Sequence, residues 1–262
     1  MFKEYLTSIA DSIRAKLGTS EKINAQSYAD KISEVYDAGY AKGAEEGGGI
    51  NPEWTDWQYF SVENNRNELV KKIKYNDTSK GVKFSYMFSN CGQLTSVPLF
   101  DTSNGTTFAC MFQTCRGLTY IPSYDTSNGT AFGNMFSACS GLLEAPMIDT
   151  GKGKTFGNLF YQCTNLKTIP QIDMSNATYV GSAFSGCSAL ENVTFVGTFP
   201  IKANTTVFSQ SPKLTVDSLM SFINALTNTG TATYTVTIGS TNLAKLTQDQ
   251  IDIATAKNIV LA

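Results

Sequence analysis

Met87-Phe88-Ser89-Asn90-Cys91-Gly92-Gln93-Leu94 decides the fold, because its pattern returns every 24 residues. The next copy is Met111-Phe112-Gln113-Thr114-Cys115-Arg116-Gly117-Leu118, and three more follow at the same spacing. A fixed period between about 20 and 50 residues is typical of solenoids, in which each repeat buries its apolar face against its neighbours. The sequence therefore predicts an α/β-type repeat solenoid of 24-residue units with short parallel strands.

Three apolar columns and one thiol column run through these repeats. The apolar columns predict the core, and their members are Phe84, Phe108, Phe132, Phe156 and Val180; Phe88, Phe112, Phe136, Phe160 and Phe184; and Leu94, Leu118, Leu142, Leu166 and Leu190. The thiol column contains Cys91, Cys115, Cys139, Cys163 and Cys187, whereas Cys110 lies outside it. Adjacent rungs of a solenoid lie about 5 Å apart, so disulfides are sterically feasible. We favour the alternative of reduced core thiols, because a protein made in the cytosol stays reduced.

A proline follows each leucine of the third column by four residues, at Pro98, Pro122, Pro146 and Pro170, with Thr194 in the last copy. Proline has no N–H for a strand ladder. Each unit is therefore predicted to contain a short strand or extended segment, usually ended by proline.

The turn Asp101-Thr102-Ser103-Asn104-Gly105 also recurs with the 24-residue period, and Asp173-Met174-Ser175-Asn176-Ala177 is its decayed copy. Asp and Ser side chains accept hydrogen bonds from the backbone two residues on, and we expect the glycine to supply a positive φ. A column of such carboxylates could also hold calcium between rungs, but the ligand-dense loop of calcium sites is absent. The sequence therefore predicts no metal site and leaves a bound cation as the alternative.

The regions outside the repeats divide the chain further. Residues 1–46 contain two amphipathic patterns and are predicted to be a helical attachment or oligomerisation segment, followed by a Gly-rich linker at 47–53. Residues 54–83 are predicted to form an N-terminal cap with a degenerate repeat, and 84–214 the repeat stack. Four aromatic residues in the cap favour covering of the stack end over an exposed binding site: Trp54, Trp57, Tyr59 and Phe60.

Residues 215–262 are predicted to form a C-terminal α/β cap. A helix is expected from Thr215 to Asn228, a strand at 234–239, a capping-box helix beginning at Thr247-x-x-Gln250, and a last strand at 259–261.

Composition excludes several functions. The net charge is −2 and 16% of residues are charged, so no basic field is present to attract nucleic acid or an anionic membrane. The chain has no histidine, which removes the commonest general base and metal ligand. No stretch is long and apolar enough for a signal peptide or a membrane span. Because phosphate loops and nucleophile motifs are also absent, we predict a protein that is not an enzyme and needs no cofactor.

The phrase Met-Phe-x-x-Cys-x-x-Leu-x-x-Ile/Val-Pro-x-x-Asp-Thr-Ser-Asn resembles BspA-like bacterial leucine-rich repeats over residues 60–214. This resemblance implies a right-handed, leucine-rich-repeat-like solenoid used for adhesion and for recognition of proteins or glycans. Residues 5–25 and 239–255 resemble the ends of tail-associated proteins in phages and prophages of gut Firmicutes. In the second stretch's continuation, Asn258-Ile259-Val260 replaces the Gly-Trp-Thr expected of those proteins.

Two functions follow from these resemblances. The first is a phage or prophage tail protein of the tail-fibre or receptor-binding type, made in the bacterial cytoplasm and carried on the virion. It would recognise a host cell-surface protein or glycan, and residues 1–46 would join it to other virion proteins or to copies of itself, for example in a trimer. The second is a secreted bacterial surface adhesin of the BspA-like class.

Side chains between the core positions are predicted to form the binding face, since the repeat rule is relaxed there and the positions are expected to line up across rungs. Tyr120 and Met147 are the strongest candidates, because exposed apolar groups suit contact hot spots. Neutral drift of exposed positions is the alternative. The predicted face comprises Ser96, Leu99, Tyr120, Ser123, Glu144, Met147, Lys167, Gln171 and Asn192.

Overall fold

A computed structural model describes residues 81–262, which belong to one compact unit. The predictions for residues 1–46, for the linker at 47–53 and for the aromatic cap at 54–80 lie outside the described residues.

The repeats are held together by backbone hydrogen bonds that recur with the sequence period. Phe108 N donates to Ala131 O at 2.8 Å, and Phe112 N donates to Met135 O at 2.8 Å. In the reverse direction between the same two rungs, Thr130 N donates to Thr106 O at 2.8 Å. Equivalent bonds appear in the following repeats, so each rung stacks directly on the next. The described chain is thus a repeat-type α/β fold, as predicted at this level.

Each repeat has two sides. We call residues 84–91, 108–115, 132–139, 156–163 and 180–187 the thiol turns, because each ends at the cysteine of the thiol column. We call residues 95–100, 119–124, 143–148, 167–172 and 191–196 the proline segments. Short corners join the two sides.

The thiol turns place two residues per repeat in the left-handed region. In the second repeat these are Cys110, with φ of 58°, and Thr114, with φ of 63°. Successive N–H groups of the turn alternate between two kinds of acceptor. Gln113 N donates within its own turn, to Cys110 O at 3.2 Å, and the next amide, Thr114 N, donates to Ser137 O of the next rung at 2.7 Å. Left-handed backbone is rare for residues other than glycine, so tight stacking must offset its cost here.

The expectation that the turn glycines supply a positive φ was wrong. Gly105, Gly129 and Gly153 are absent from the positive-φ residues. Glycine is needed there for space, because a Cβ at Gly129 would lie 2.4 Å from Phe132 Cζ and 2.9 Å from Thr126 O. The fifth repeat supports this reason, since Ala177 replaces the glycine where a smaller Val180 replaces the phenylalanine.

The two phenylalanine columns form the core that was predicted. Phe108 and Phe132 stack with ring centroids 5.8 Å apart and planes 13° apart, and Phe136 and Phe160 stack at 5.1 Å and 9°. All of these rings are buried. Phe208 continues the second column into a sixth rung and stacks on Phe184 at 5.3 Å.

The thiol column is buried as predicted, and it also has a bonding role that the sequence analysis missed. Cys139 Sγ donates to Phe112 O at 3.0 Å, and Cys163 Sγ donates to Phe136 O at 3.0 Å. In the sixth rung Ser211 takes the cysteine's place, and its hydroxyl donates to Phe184 O at 2.7 Å. The column thus provides a donor for a buried carbonyl of the preceding thiol turn. None of the six cysteines forms a disulfide bond.

The proline segments pair weakly at first and fully only at the end. No backbone hydrogen bond joins segment 95–100 to segment 119–124 in the described part of the chain. Segments 143–148 and 167–172 share one bridge, Glu144 to Thr168. Only the last two segments form strands. Their pairing shifts register between Ile169 and Ile172, on either side of Pro170, and the last segment has Thr194 in place of the proline.

Within residues 81–262, regular elements therefore begin only at Thr168. All strand pairs are parallel, with sheet orders β1-β2, β3-β5 and β4-β6-β7. The elements are β1 (Thr168–Asp173), β2 (Asn192–Val196), β3 (Phe199–Pro200), β4 (Thr205–Thr206), α1 (Val216–Ala225), β5 (Leu226–Thr227), β6 (Tyr234–Thr237), α2 (Ser240–Leu243), α3 (Gln248–Thr255) and β7 (Ile259–Leu261).

The C-terminal elements match their sequence signals closely. The Thr215 side chain caps α1, and the capping box of Thr247 and Gln250 begins α3, as predicted. The short helix α2 was not predicted. At the other end of α1, the Lys257 ammonium donates to Ile223 O and Asn224 O, both at 2.9 Å, and thereby satisfies carbonyls that the helix leaves open.

Candidate functional site

The nine residues of the predicted binding face are all exposed in the structure. Within residues 81–262, Leu99 and Tyr120 are the most exposed large apolar side chains, with 71% and 69% of their surface accessible. Positions 99, 123, 147 and 171 form one column, and positions 96, 120, 144 and 192 form another. Whether these residues bind a ligand stays a prediction.

Lys167 does not lie in the column to which it was assigned. The bridge from Glu144 is to Thr168, and Thr168 in turn pairs with Asn192. Lys167 stands one residue earlier, where its N–H donates to Leu143 O at 2.9 Å. Lys167 therefore occupies the position of Leu143, one residue before the column, and is exposed there.

Exposed apolar side chains concentrate on the proline segments. Of the eleven exposed large hydrophobic residues in 81–262, five lie there: Leu99, Tyr120, Leu143, Met147 and Val196. Sequence reasoning missed Leu143 and Val196. Leu143 was detectable, because it follows Leu142, which fills the only core position available. Val196 was also detectable, since it alternates with the buried Phe195.

A surface depression of about 340 Å³ lies between the third and fifth proline segments, and it includes Met147 and Gln171 of the predicted face. The Met147 side chain and Val196 supply exposed apolar surface, while the turn carboxylates of two successive repeats supply charge. The lining residues are Met147, Ile148, Asp149, Thr150, Gln171, Ile172, Asp173 and Val196.

The two carboxylates are held by the turns that the sequence predicted. Asp149 Oδ1 accepts from Gly151 N at 2.9 Å. Asp173 Oδ1 accepts from Ser175 N at 2.8 Å and from the Ser175 hydroxyl at 2.6 Å. The Asp173 N–H donates to Thr150 Oγ1 at 2.9 Å, which ties one turn to the next. Each carboxylate therefore has a fixed position on the rim of the depression.

The same turn in an earlier repeat shows the electrostatic effect of these bonds. The N–H and hydroxyl of Ser127 donate to Asp125 and hold the pKa of its carboxyl below the usual range, with a smaller contribution from Lys152. Asp125 is thus a charged acceptor at neutral pH. Within residues 81–262, no group of three or more acidic, cysteine or histidine side chains is arranged to hold a metal ion.

The column thiols and the Tyr124 hydroxyl are buried in protonated form. Burial raises the pKa of the Cys139 and Cys187 thiols to about 12, which keeps them from acting as nucleophiles at neutral pH. Burial also raises the pKa of Tyr124, whose hydroxyl donates to Pro98 O at 2.6 Å. The face therefore offers apolar contacts and fixed hydrogen-bond acceptors.

Two overlapping stretches of the chain, residues 55–148 and 83–196, match a family described as "Mycoplasma protein of unknown function, DUF285". Together they span more than half of the chain. The chain belongs to this family, which comprises BspA-like surface repeat proteins. The ends of the two matches differ by two repeat periods, as expected for a periodic sequence.

Comparison with curated proteins and with solved structures gave no match. None of the helices within residues 81–262 is long and apolar enough to cross a membrane.

Proposed function

We propose that this chain is a non-enzymatic binding protein, a leucine-rich-repeat-like solenoid whose proline segments contact a protein or glycan on a cell surface. The observation that carries this proposal is the concentration of exposed apolar side chains on the proline segments. Such side chains lie beside the fixed carboxylates of Asp149 and Asp173 and the Gln171 amide in the depression at Met147, a combination that suits recognition.

The absence of an enzymatic role is part of the proposal. The carboxylates of the described turns are engaged by backbone N–H groups, and the thiols of the column are buried donors. A charged acceptor at the surface and a protonated thiol in the core suit recognition and packing better than proton transfer. The proposal accordingly includes no cofactor and no nucleic-acid partner.

Two settings for such binding remain in the proposal. Membership of a BspA-like surface repeat family favours a bacterial surface adhesin. The resemblance of residues 5–25 and 239–255 to tail-associated proteins favours a phage or prophage tail protein, assembled in the cytoplasm and displayed on the virion. In the second setting, residues 1–46 attach the chain to other virion proteins or form a homo-oligomer, for example a trimer.

A cell-binding experiment tests the proposed face. Wild-type protein and a Tyr120→Ala, Met147→Ala double variant are fluorescently labelled and applied to cells of gut bacteria and to arrayed glycans. We expect the double variant to lose at least tenfold in apparent affinity, because truncation of interface hot spots costs about 2 kcal/mol or more.

The matched control is a Tyr161→Ala, Val260→Ala double variant, which removes two exposed apolar side chains outside the proline segments. It should bind as the wild type does. Equal binding by wild type and the Tyr120→Ala, Met147→Ala variant would reject the face, and equal loss in both double variants would indicate adsorption without a specific site.

A further inference from the structure

The depression at Met147 lies where the repeat pattern of the turns is broken. Three of the four described turns carry serine two residues after the aspartate, at Ser103, Ser127 and Ser175, whereas the third turn carries Gly151. The Ser103 hydroxyl donates to Asp101 Oδ1 at 2.7 Å, and Ser175 repeats this bond. Asp149 therefore lacks the hydroxyl donor that its counterparts have.

The backbone does not require glycine at this position. Gly151 has no positive φ, and a Cβ added to it would meet its neighbours at ordinary contact distances. This distinguishes Gly151 from Gly129 and Gly153, where an added Cβ would collide with a phenylalanine ring. A Cβ would fit at Gly151, so glycine leaves the space of a side chain open beside the depression.

That open space lies between two carboxylates. The position of a Cβ on Gly151 is 3.4 Å from Asp149 Oδ1 and 3.5 Å from Asp173 Oδ2. Oxygen atoms of both aspartates thus face the same point from successive rungs. A group that carries several N–H donors could bond to both of them there, in place of the missing serine hydroxyl.

The surrounding charge favours a cation. Of the eight described residues that line the depression, two are acidic and none is basic. The nearby Lys152 ammonium donates to Asn128 Oδ1 at 2.8 Å, which directs it toward the preceding turn and Asp125. Met147 and Val196 supply apolar surface on which the methylene stem of a long side chain could lie.

We propose that the depression at Met147 binds an arginine or lysine side chain of a partner protein, with the cationic group between Asp149 and Asp173 and its stem against Met147 and Val196. This inference rests on the proposed function, since it assigns the partner chemistry for part of the same face. Arginine is the better fit, because a planar guanidinium can donate to two carboxylates at once.

NMR titration of the full chain tests this site, with N-acetyl-arginine methylamide as probe and its citrulline counterpart as the neutral match. We expect amide shifts centred on residues 147–151 and 171–173 with the arginine probe, a dissociation constant in the millimolar range, and at least fivefold weaker binding of citrulline. Raising the salt concentration should weaken arginine binding, because the attraction is electrostatic.

Three variants and one control locate the site. Gly151→Ser restores the repeat pattern and should weaken arginine binding at least fivefold, with no loss of thermal stability. Asp149→Asn and Asp173→Asn should also weaken arginine binding at least fivefold, and the amide oxygen of each asparagine still accepts the hydrogen bonds of the turn. Asp125→Asn removes an equivalent charge outside the depression and should leave binding unchanged.

Equal shifts with arginine and citrulline, shifts with neutral sugars only, or shifts spread evenly from Asp101 to Asp173 would overturn the proposal. Its failure is separable from failure of the proposed function. If cell binding is lost in the Tyr120→Ala, Met147→Ala variant but unchanged by Gly151→Ser, the face binds its partner without this cation site. If neither variant affects cell binding, the face itself is wrong.

Discussion

The thiol turns and the proline segments alternate along the same chain, yet they differ in almost every physical respect. The thiol turns bond to the next rung at alternate N–H groups and bury their cysteines and phenylalanines completely. The first proline segments share few or no backbone bonds with their neighbours and carry the most exposed apolar side chains of the described chain.

The difference shows how a repeat protein can assign stability to one side of each repeat and ligand recognition to the other. Proline removes a backbone donor, and the exposed positions beside it belong to no core column, so they are free to differ between repeats. In the thiol turns every position has a partner one repeat away. A change there disturbs two interfaces, whereas a change on a proline segment disturbs the surface.

The largest expected effect contrasts one residue from each side. Phe136→Ala removes a fully buried ring between Phe112 and Phe160, and it should lower the free energy of unfolding by about 3–5 kcal/mol. Tyr120→Ala, on an exposed position, should change it by less than about 0.5 kcal/mol. Denaturant unfolding followed by circular dichroism measures both. Similar losses in the two variants would contradict the division between the two sides.

A smaller effect tests the packing of turn glycine against phenylalanine. Gly129→Ala forces a Cβ against Phe132 and should cost about 1–3 kcal/mol. The double variant Gly129→Ala, Phe132→Val recreates the pair found naturally at Ala177 and Val180. Its destabilisation should therefore be less than the sum of the two single changes by at least about 0.5 kcal/mol. Additive losses would show that space is not the reason for the glycine.

The pH dependence of stability tests the buried thiols. An unfolded thiol ionises near pH 9, whereas Cys139 and Cys187 in the folded chain stay protonated to about pH 12. The unfolded state therefore loses protons first as pH rises, and stability should fall above pH 9. The expected slope is about 1.4 kcal/mol per pH unit for each such thiol.

The control for this prediction is the Cys139→Ser, Cys187→Ser variant, which keeps a donor of the kind seen at Ser211. Its stability at pH 8 should be lower, and its fall between pH 9 and pH 11 should be shallower than that of the wild type. An unchanged slope would show that the thiols are not protonated donors in the fold.

Much of this architecture follows from sequence, because the period sets which residues stack. Phe112, Cys139 and Leu142 were assigned to the core from spacing alone, and the turn bonds of Asp149 follow from residue type. The sequence could not show that the left-handed positions fall on residues such as Thr114 rather than on the turn glycines. That choice depends on the stacking of whole rungs, which outweighs the local preference of glycine.

The candidate site was predictable in position and not in detail. Its exposed members follow from the gaps between core columns, and the 24-residue period itself places Thr168, and not Lys167, in the column of Glu144. The significance of Gly151 emerges only when Asp173, a full repeat away, is placed beside Asp149. Such contacts arise from the corner geometry between rungs, which residue spacing does not specify.

Hydrogen exchange followed residue by residue tests the contrast between the two sides most directly. The amides of Phe112 and Phe136 donate to the next rung at 2.8 and 2.9 Å, while those of Tyr120 and Ser123 have no hydrogen-bond partner among residues 81–262. Thiol-turn amides should exchange only through global unfolding, and the Tyr120 and Ser123 amides should exchange at least a thousandfold faster. Comparable protection on both sides would contradict the account.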